Sequence, residues 1–137
     1  MICYAVIDTN VLVSALLSSH DDAATVQVVG KLFSGEVIPL FSNEILKEYN
    51  EVLRRRKFKF SETIVATLVD TIEKYGEMVE PAPSGEILPD MKDLPFYEVV
   101  LEKQEDAYLV TGNMKHFPEK VFVVTAKEFL DILNQKR

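Results

Sequence analysis

Short apolar strings and helix-period segments alternate along this chain, the pattern of βαβ units on a mostly parallel sheet. Residues from about Ile2 to Ile7 read as a first buried strand. A helical region is expected from Asn10 to Ser34, broken near Ser18-Ser19-His20-Asp21 and closed by Gly35 as a C-terminal cap. Val37–Phe41 reads as a second strand, although Pro39 lacks a ladder donor and argues for an edge or bulge. Ser42 is placed to cap a helix running to about Arg55, with Ile45, Leu46, Tyr49, Val52 and Leu53 on one face. Ser61 is placed to cap another, carrying Ile64, Val65, Leu68, Val69 and Ile72 and ending at Gly76. A short strand Met78–Glu80 leads into the connector Pro81-Ala82-Pro83-Ser84-Gly85. Asp93 begins a helix with Pro95 in its first turn, where proline is tolerated. Ala107–Val110 and Val121–Val124 complete a set of about five strands, and Ala126–Asn134 forms the last helix.

Composition sets bounds on this picture. The 137 residues suit one domain with one sizeable core, and 47% apolar with 27% charged residues is a globular balance. Neither an internal repeat nor a low-complexity tract interrupts it. The only cysteine, Cys3, cannot form an internal disulfide, and the start Met1-Ile2-Cys3-Tyr4 has no basic leader region. No apolar run is long enough to span a bilayer, so a cytoplasmic protein is expected.

The first strand ends abruptly in Asp8-Thr9-Asn10. An ionised carboxylate at the edge of a core must be paired or bind a cation, and ligands of open α/β sheets bind at the carboxyl ends of strands. Asp8 is therefore either an N-cap acid for the next helix or a metal ligand. Glu48 lies at the margin of the apolar face made by Ile45, Tyr49 and Val52, whereas Glu44 and Glu51 point towards water. Asp90 and Asp93 flank Met91-Lys92 ahead of the helical pattern Leu94–Glu102, and Asp93 is the better ligand candidate, with an N-cap as its other reading. A second strand end carries Thr111-Gly112-Asn113, where the amide of Asn113 brings no charge; Asp106 has the place of a turn residue. His116 and His20 have no partner at ligand spacing, and one cysteine with two unrelated histidines excludes the usual zinc site.

Three convergent carboxylates repel one another, and a hard divalent cation relieves that repulsion. Mg²⁺ or Mn²⁺ suits oxygen ligands and water. Phosphodiester hydrolysis is the chemistry such an ion serves, since it lowers the pKa of a bound water and screens phosphate from the acids.

With Ile7-Asp8-Thr9-Asn10, Ile45-Leu46-Lys47-Glu48-Tyr49-Asn50-Glu51-Val52-Leu53 and Asp90-Met91-Lys92-Asp93-Leu94-Pro95-Phe96-Tyr97 in this order, the chain resembles the PIN-domain nucleases over nearly its whole length. The tail Tyr108-Leu109-Val110-Thr111-Gly112-Asn113, with Lys115-His116-Phe117-Pro118, is similar to the VapC-like toxins of bacteria and archaea. The resemblance implies an α/β/α sandwich with Mg²⁺ or Mn²⁺ held by Asp8, Glu48 and Asp93. Asn10, Ser42, Asp90, Thr111 and Asn113 take supporting places around them. It further implies hydrolysis of RNA by an activated water, an antitoxin partner and a homodimer. Many relatives have a fourth acid where this chain has Asn113.

The net charge of −7 disfavours nucleic acid overall, but Arg54-Arg55-Arg56-Lys57-Phe58-Lys59 packs five cations into six residues about two helical turns beyond Glu48. It is either a solvated helix end or a phosphate contact. Two other readings compete with a nuclease. One is a non-catalytic scaffold binding RNA or protein, motivated by Asn113. The other is a phosphotransfer domain, disfavoured because Asp8-Thr9-Asn10 is not Asp-x-Asp and no acid ends the third strand.

Overall fold

A computed structural model describes residues 3–103 and 105–136. Strand β1 spans Cys3–Ile7; Ile2, expected to begin it, lies outside the described residues. The chain continues through α1 (Thr9–Leu17), α2 (Ala24–Ser34), β2 (Val37–Phe41), α3 (Asn43–Leu53), α4 (Glu62–Tyr75), β3 (Glu77–Met78), α5 (Leu94–Glu102), β4 (Ala107–Val110), β5 (Val123–Val124) and α6 (Ala126–Gln135). Turns of 3-10 helix occur at Arg56–Phe58, Met91–Asp93 and Met114–His116.

The five strands form one sheet in the order β3-β2-β1-β4-β5, every pair parallel. Helices cover both faces, giving the expected α/β/α sandwich. Parallel strands buried on both sides need unbroken apolar sequence, and Ala5, Val6, Ile7, Leu109 and Val110 are all fully buried. Helix α5 packs on β1, β2 and β4, and α2 on β2 and α6. The chain goes from β1 to β2 on one side of β1 and later returns to place β4 on the other. The sheet therefore has its topological switch point between β1 and β4, where a crevice opens at the carboxyl ends of the strands.

Local signals place most element ends. Gly35 ends α2 in the left-handed conformation, at φ 83°. Ser42 and Ser61 accept hydrogen bonds from Ile45 N and Ile64 N at the starts of α3 and α4. Thr125 and Glu128 form a reciprocal capping box on α6. Several boundaries differ from the sequence reading. Helix α1 starts at Thr9, one residue early, and α3 stops at Leu53 instead of Arg55. Strand β3 is Glu77–Met78, reached straight from α4, and β5 is only Val123–Val124, with Val121 almost fully exposed.

Pro39 was expected at an edge, yet β2 lies between β1 and β3. Its outer partner β3 pairs only from Leu40 onward, so Pro39 stands just before that ladder begins. On this side Gly76 presses against it.

Candidate functional site

Asp8 follows the last residue of β1 and extends the ladder, its N–H donating to Val110 O at 2.9 Å. Its side chain is almost fully buried at the switch point. It makes no hydrogen bond that caps α1, so the N-cap reading does not account for it. Instead Oδ2 accepts from Thr111 Oγ1 at 2.7 Å and Asn10 Nδ2 at 3.2 Å. Asn10 Oδ1 accepts from Gly112 N at 3.2 Å, and Thr111 Oγ1 accepts from Asn113 N at 3.0 Å. Both residues thus tie the end of β1 to the end of β4, the neighbouring strand.

Glu48 comes from the middle of α3. Its carboxylate accepts a hydrogen bond from Thr9 Oγ1, which brings it beside Asp8. The adjacent Tyr49 is fully buried, and its hydroxyl donates to Ile7 O at 2.5 Å. One turn of α3 is thereby pinned to the end of β1 by two side chains. The sequence marked Tyr49 only as part of an apolar face; its polar tip, reaching back to β1, is a tertiary contact.

Asp93 ends the 3-10 turn before α5 and is half-buried. It does not cap the helix by hydrogen bonding; Asp90 does the local capping, accepting from Lys92 N at 3.0 Å. Asp93 Oδ2 is buried without a hydrogen-bond partner, although His116 Nδ1 lies 3.2 Å away. The two side chains form a close polar contact. His116 was set aside at the sequence level for want of a second histidine. Its partner is a carboxylate, an association that spacing along the chain does not encode.

The three acids feel one another. Burial raises the pKa of each first of all; beyond that, Asp93 raises Asp8, Asp8 raises Glu48, and Asp90, with Glu48 behind it, raises Asp93. Hydrogen bonds from Thr111 to Asp8 and Thr9 to Glu48, and the charge of His116 on Asp93, partly offset this. A pH dependence follows. With native pKa values above those of the unfolded chain, the folded state binds more protons, so stability falls as pH rises. The contribution is fully present below the ordinary carboxylate range and is lost as pH passes through the raised values. Metal-free protein is therefore expected to lose stability between mildly acidic and neutral pH. Urea titrations across that range should show a smaller loss for Asp8→Asn; equal slopes would mean that Asp8 does not contribute to it.

The remaining candidates separate. Ser42 caps α3 and lines a cleft of about 320 Å³ with Pro81, Pro83 and Glu98. Asn113 is exposed, joined to the site through its backbone N–H. Asp106 precedes β4 at the opposite end of the sheet, where its carbonyl accepts from Tyr4 N. The basic run is not a helical extension, because α3 ends first. Arg54 is held by both oxygens of Glu62 at 2.8 Å and by Asn50. Lys57 sits over the Phe58 ring, while Arg56 and Lys59 are exposed. Arg55 alone of the run lines the cleft of about 450 Å³ that contains Glu48, with Lys47 and Lys92, and with Glu44 and Glu51 as its other charges.

A family model described as the PIN domain matches residues 4–115, most of the chain and every acid of this cluster. The chain belongs to the PIN-domain family. No curated protein and no solved structure gives a significant match. PIN domains are generally nucleases that use divalent metal ions, so this PIN domain is assigned to the hydrolases of that class. No helix among the described residues is long and apolar enough to cross a membrane.

Among the described residues, no three acidic, histidine or cysteine side chains stand close enough to ligate one ion directly. The donor set of this PIN domain still fits a hard cation. Mg²⁺ keeps several waters and commonly takes only one or two carboxylates from the protein. The buried, unpartnered Oδ2 of Asp93 is an acceptor that such an ion or its water would satisfy.

Proposed function

We propose that this PIN domain is an Mg²⁺- or Mn²⁺-dependent endoribonuclease, with Asp8, Glu48 and Asp93 as its metal-holding and catalytic acids. The carrying observation is the buried Asp8 carboxylate held at the switch point by Thr111 and Asn10, with Asp93 Oδ2 buried and unpartnered. A bound divalent ion would supply an activated water and screen an approaching phosphate. The chain's own residues do the rest. Thr111 and Asn10 fix the Asp8 carboxylate, Thr9 fixes that of Glu48, and Tyr49 holds α3 at the correct distance. Arg55, Lys47 and Lys92 offer a phosphate chain positive groups along the Glu48 cleft, which supports RNA as substrate despite the net charge of −7.

Within this reading the protein is a toxin of a toxin–antitoxin pair, held inactive by an antitoxin protein, and it works in the cytoplasm as a homodimer. Exposed Phe33 and Tyr75 around the shallow groove between α2 and α4 support self-association, and sedimentation at micromolar concentration tests it. The rival, a PIN scaffold that binds RNA without cutting it, draws on the neutral Asn113.

One experiment separates the two. A labelled single-stranded RNA incubated with Mn²⁺ should be cut internally, and EDTA should stop the cutting. Binding without cleavage favours the scaffold. In the same assay Arg55→Ala should weaken RNA binding and flatten its log–log salt dependence by about 0.7 per lost phosphate contact, whereas Lys59→Ala should change neither much. An unchanged slope in Arg55→Ala would move the RNA path elsewhere.

A further inference from the structure

The segment after β4 links two of the acids. Thr111 donates to Asp8 Oδ2, and the same hydroxyl oxygen accepts from Asn113 N at 3.0 Å. The 3-10 turn that follows is closed by His116 N donating to Asn113 O at 2.9 Å. Phe117 is buried and roots the turn in the core. The turn thereby delivers the imidazole of His116 to Asp93, 3.2 Å from the buried Oδ2. Its two ends touch Asp8 and Asp93, carboxylates from distant parts of the chain. His116 also lies one residue past the stretch that matches the family model.

We propose that His116 is a positioning residue for Asp93: its imidazole holds the carboxylate in the rotamer that presents it to a cation shared with Asp8. The physical case rests on geometry. Asp93 sits at the end of a single 3-10 turn, has no capping hydrogen bond, and has no other side-chain partner at Oδ2 among the described residues. A carboxylate with two free torsions would otherwise sample rotamers that face solvent. The χ2 torsion of histidine is broad, so a small ring rotation would bring Nδ1–H into line with the carboxylate if a cation were bound there. In line, the imidazole would be a group hydrogen-bonded to a metal ligand, and removal of such a group weakens metal affinity about 10–100-fold.

The inference rests on the metal-dependent reading above, and a calorimetric Mn²⁺ titration of the full chain distinguishes their failures. Wild type should bind Mn²⁺, and His116→Ala should bind it roughly 10-fold more weakly. His116→Asn, whose amide nitrogen occupies the place of Nδ1, should recover most of the loss. In an Asp93→Asn background, His116→Ala should have no further effect, because the histidine acts through that carboxylate. Circular dichroism with EDTA present should show all variants folded; if His116→Ala is not, His116→Asn and the double-variant comparison decide. Unchanged or tighter binding by His116→Ala overturns the proposal, as does a full additive loss in the Asp93→Asn background. No Mn²⁺ binding by wild type overturns the metal-dependent function itself, and the positioning role with it.

Discussion

Asp8→Asn is expected to lower metal-dependent RNA cleavage by about 10³-fold or more, and to remove most of the thermal stabilisation given by Mn²⁺. The substitution keeps the shape of the side chain. Both side-chain hydrogen bonds to Asp8 arrive at Oδ2, so an amide oxygen placed there can still accept from Thr111 and Asn10. What disappears is the charge. Stabilisation of an anionic transition state by an ion is worth several kcal/mol, at about 1.36 kcal/mol per tenfold in rate. The metal-free variant should be at least as stable as wild type, because its neutral amide no longer repels Asp93 and Glu48. Wild type should gain about 2.7 kcal/mol at a metal concentration 100 times Kd. Cleavage assays and melting curves with and without Mn²⁺ check both halves. Wild-type cleavage, or an equal Mn²⁺ shift, in the variant would place the ion elsewhere.

Gly76→Ala is the substitution expected to cost the fold most. A Cβ at this position would stand 2.4 Å from Ile72 O, 2.5 Å from Pro39 O and 2.9 Å from Pro39 Cγ. The two nearest atoms are backbone, so no rotamer relieves the contact, and either α4 or β2 must shift. Gly76 has ordinary extended dihedrals; it is required by close approach and not by a left-handed turn. Overpacking of this kind costs about 3 kcal/mol, roughly 10 °C in Tm for a chain of this size. Gly30 supplies the contrast. It lies within α2 with nothing within 4 Å of a Cβ, so Gly30→Ala should stabilise by about 0.5–1 kcal/mol. Thermal melts of the two variants should move in opposite directions. A Gly76→Ala protein melting with wild type would show that the end of α4 and β2 do not meet this closely.

The sequence by itself determined the element order and the parallel sheet, because both depend on local information. The apolar runs at Cys3–Ile7, Val37–Phe41 and Ala107–Val110, and the serine caps at Ser42 and Ser61, act on their own neighbours. Asp8 was also legible, since a charge at the end of an apolar strand conflicts with burial wherever the strand goes. Short edge elements were harder. Strands β3 and β5 are two residues each, and pairing alone selects them from longer apolar stretches. The basic run stood out as a block, yet its members have different fates, since Glu62 occupies Arg54 while Arg55, paired with Glu51 at 3.7 Å, faces the cleft.

Tertiary structure alone decided how the site is wired. Glu48 is separated from Thr9 by 39 residues and Thr111 from Asp8 by 103, so no periodicity links them. Adjacency of β1 and β4 put Thr111 on Asp8, and docking of α3 put Tyr49 on Ile7 O. His116 shows the same division most sharply. Along the chain it is a histidine with no partner at ligand spacing; the fold sets it against a buried carboxylate oxygen. Charges and caps announce themselves in sequence because their causes are local, whereas the partners of a buried polar atom are fixed only when distant segments pack and exclude water from it.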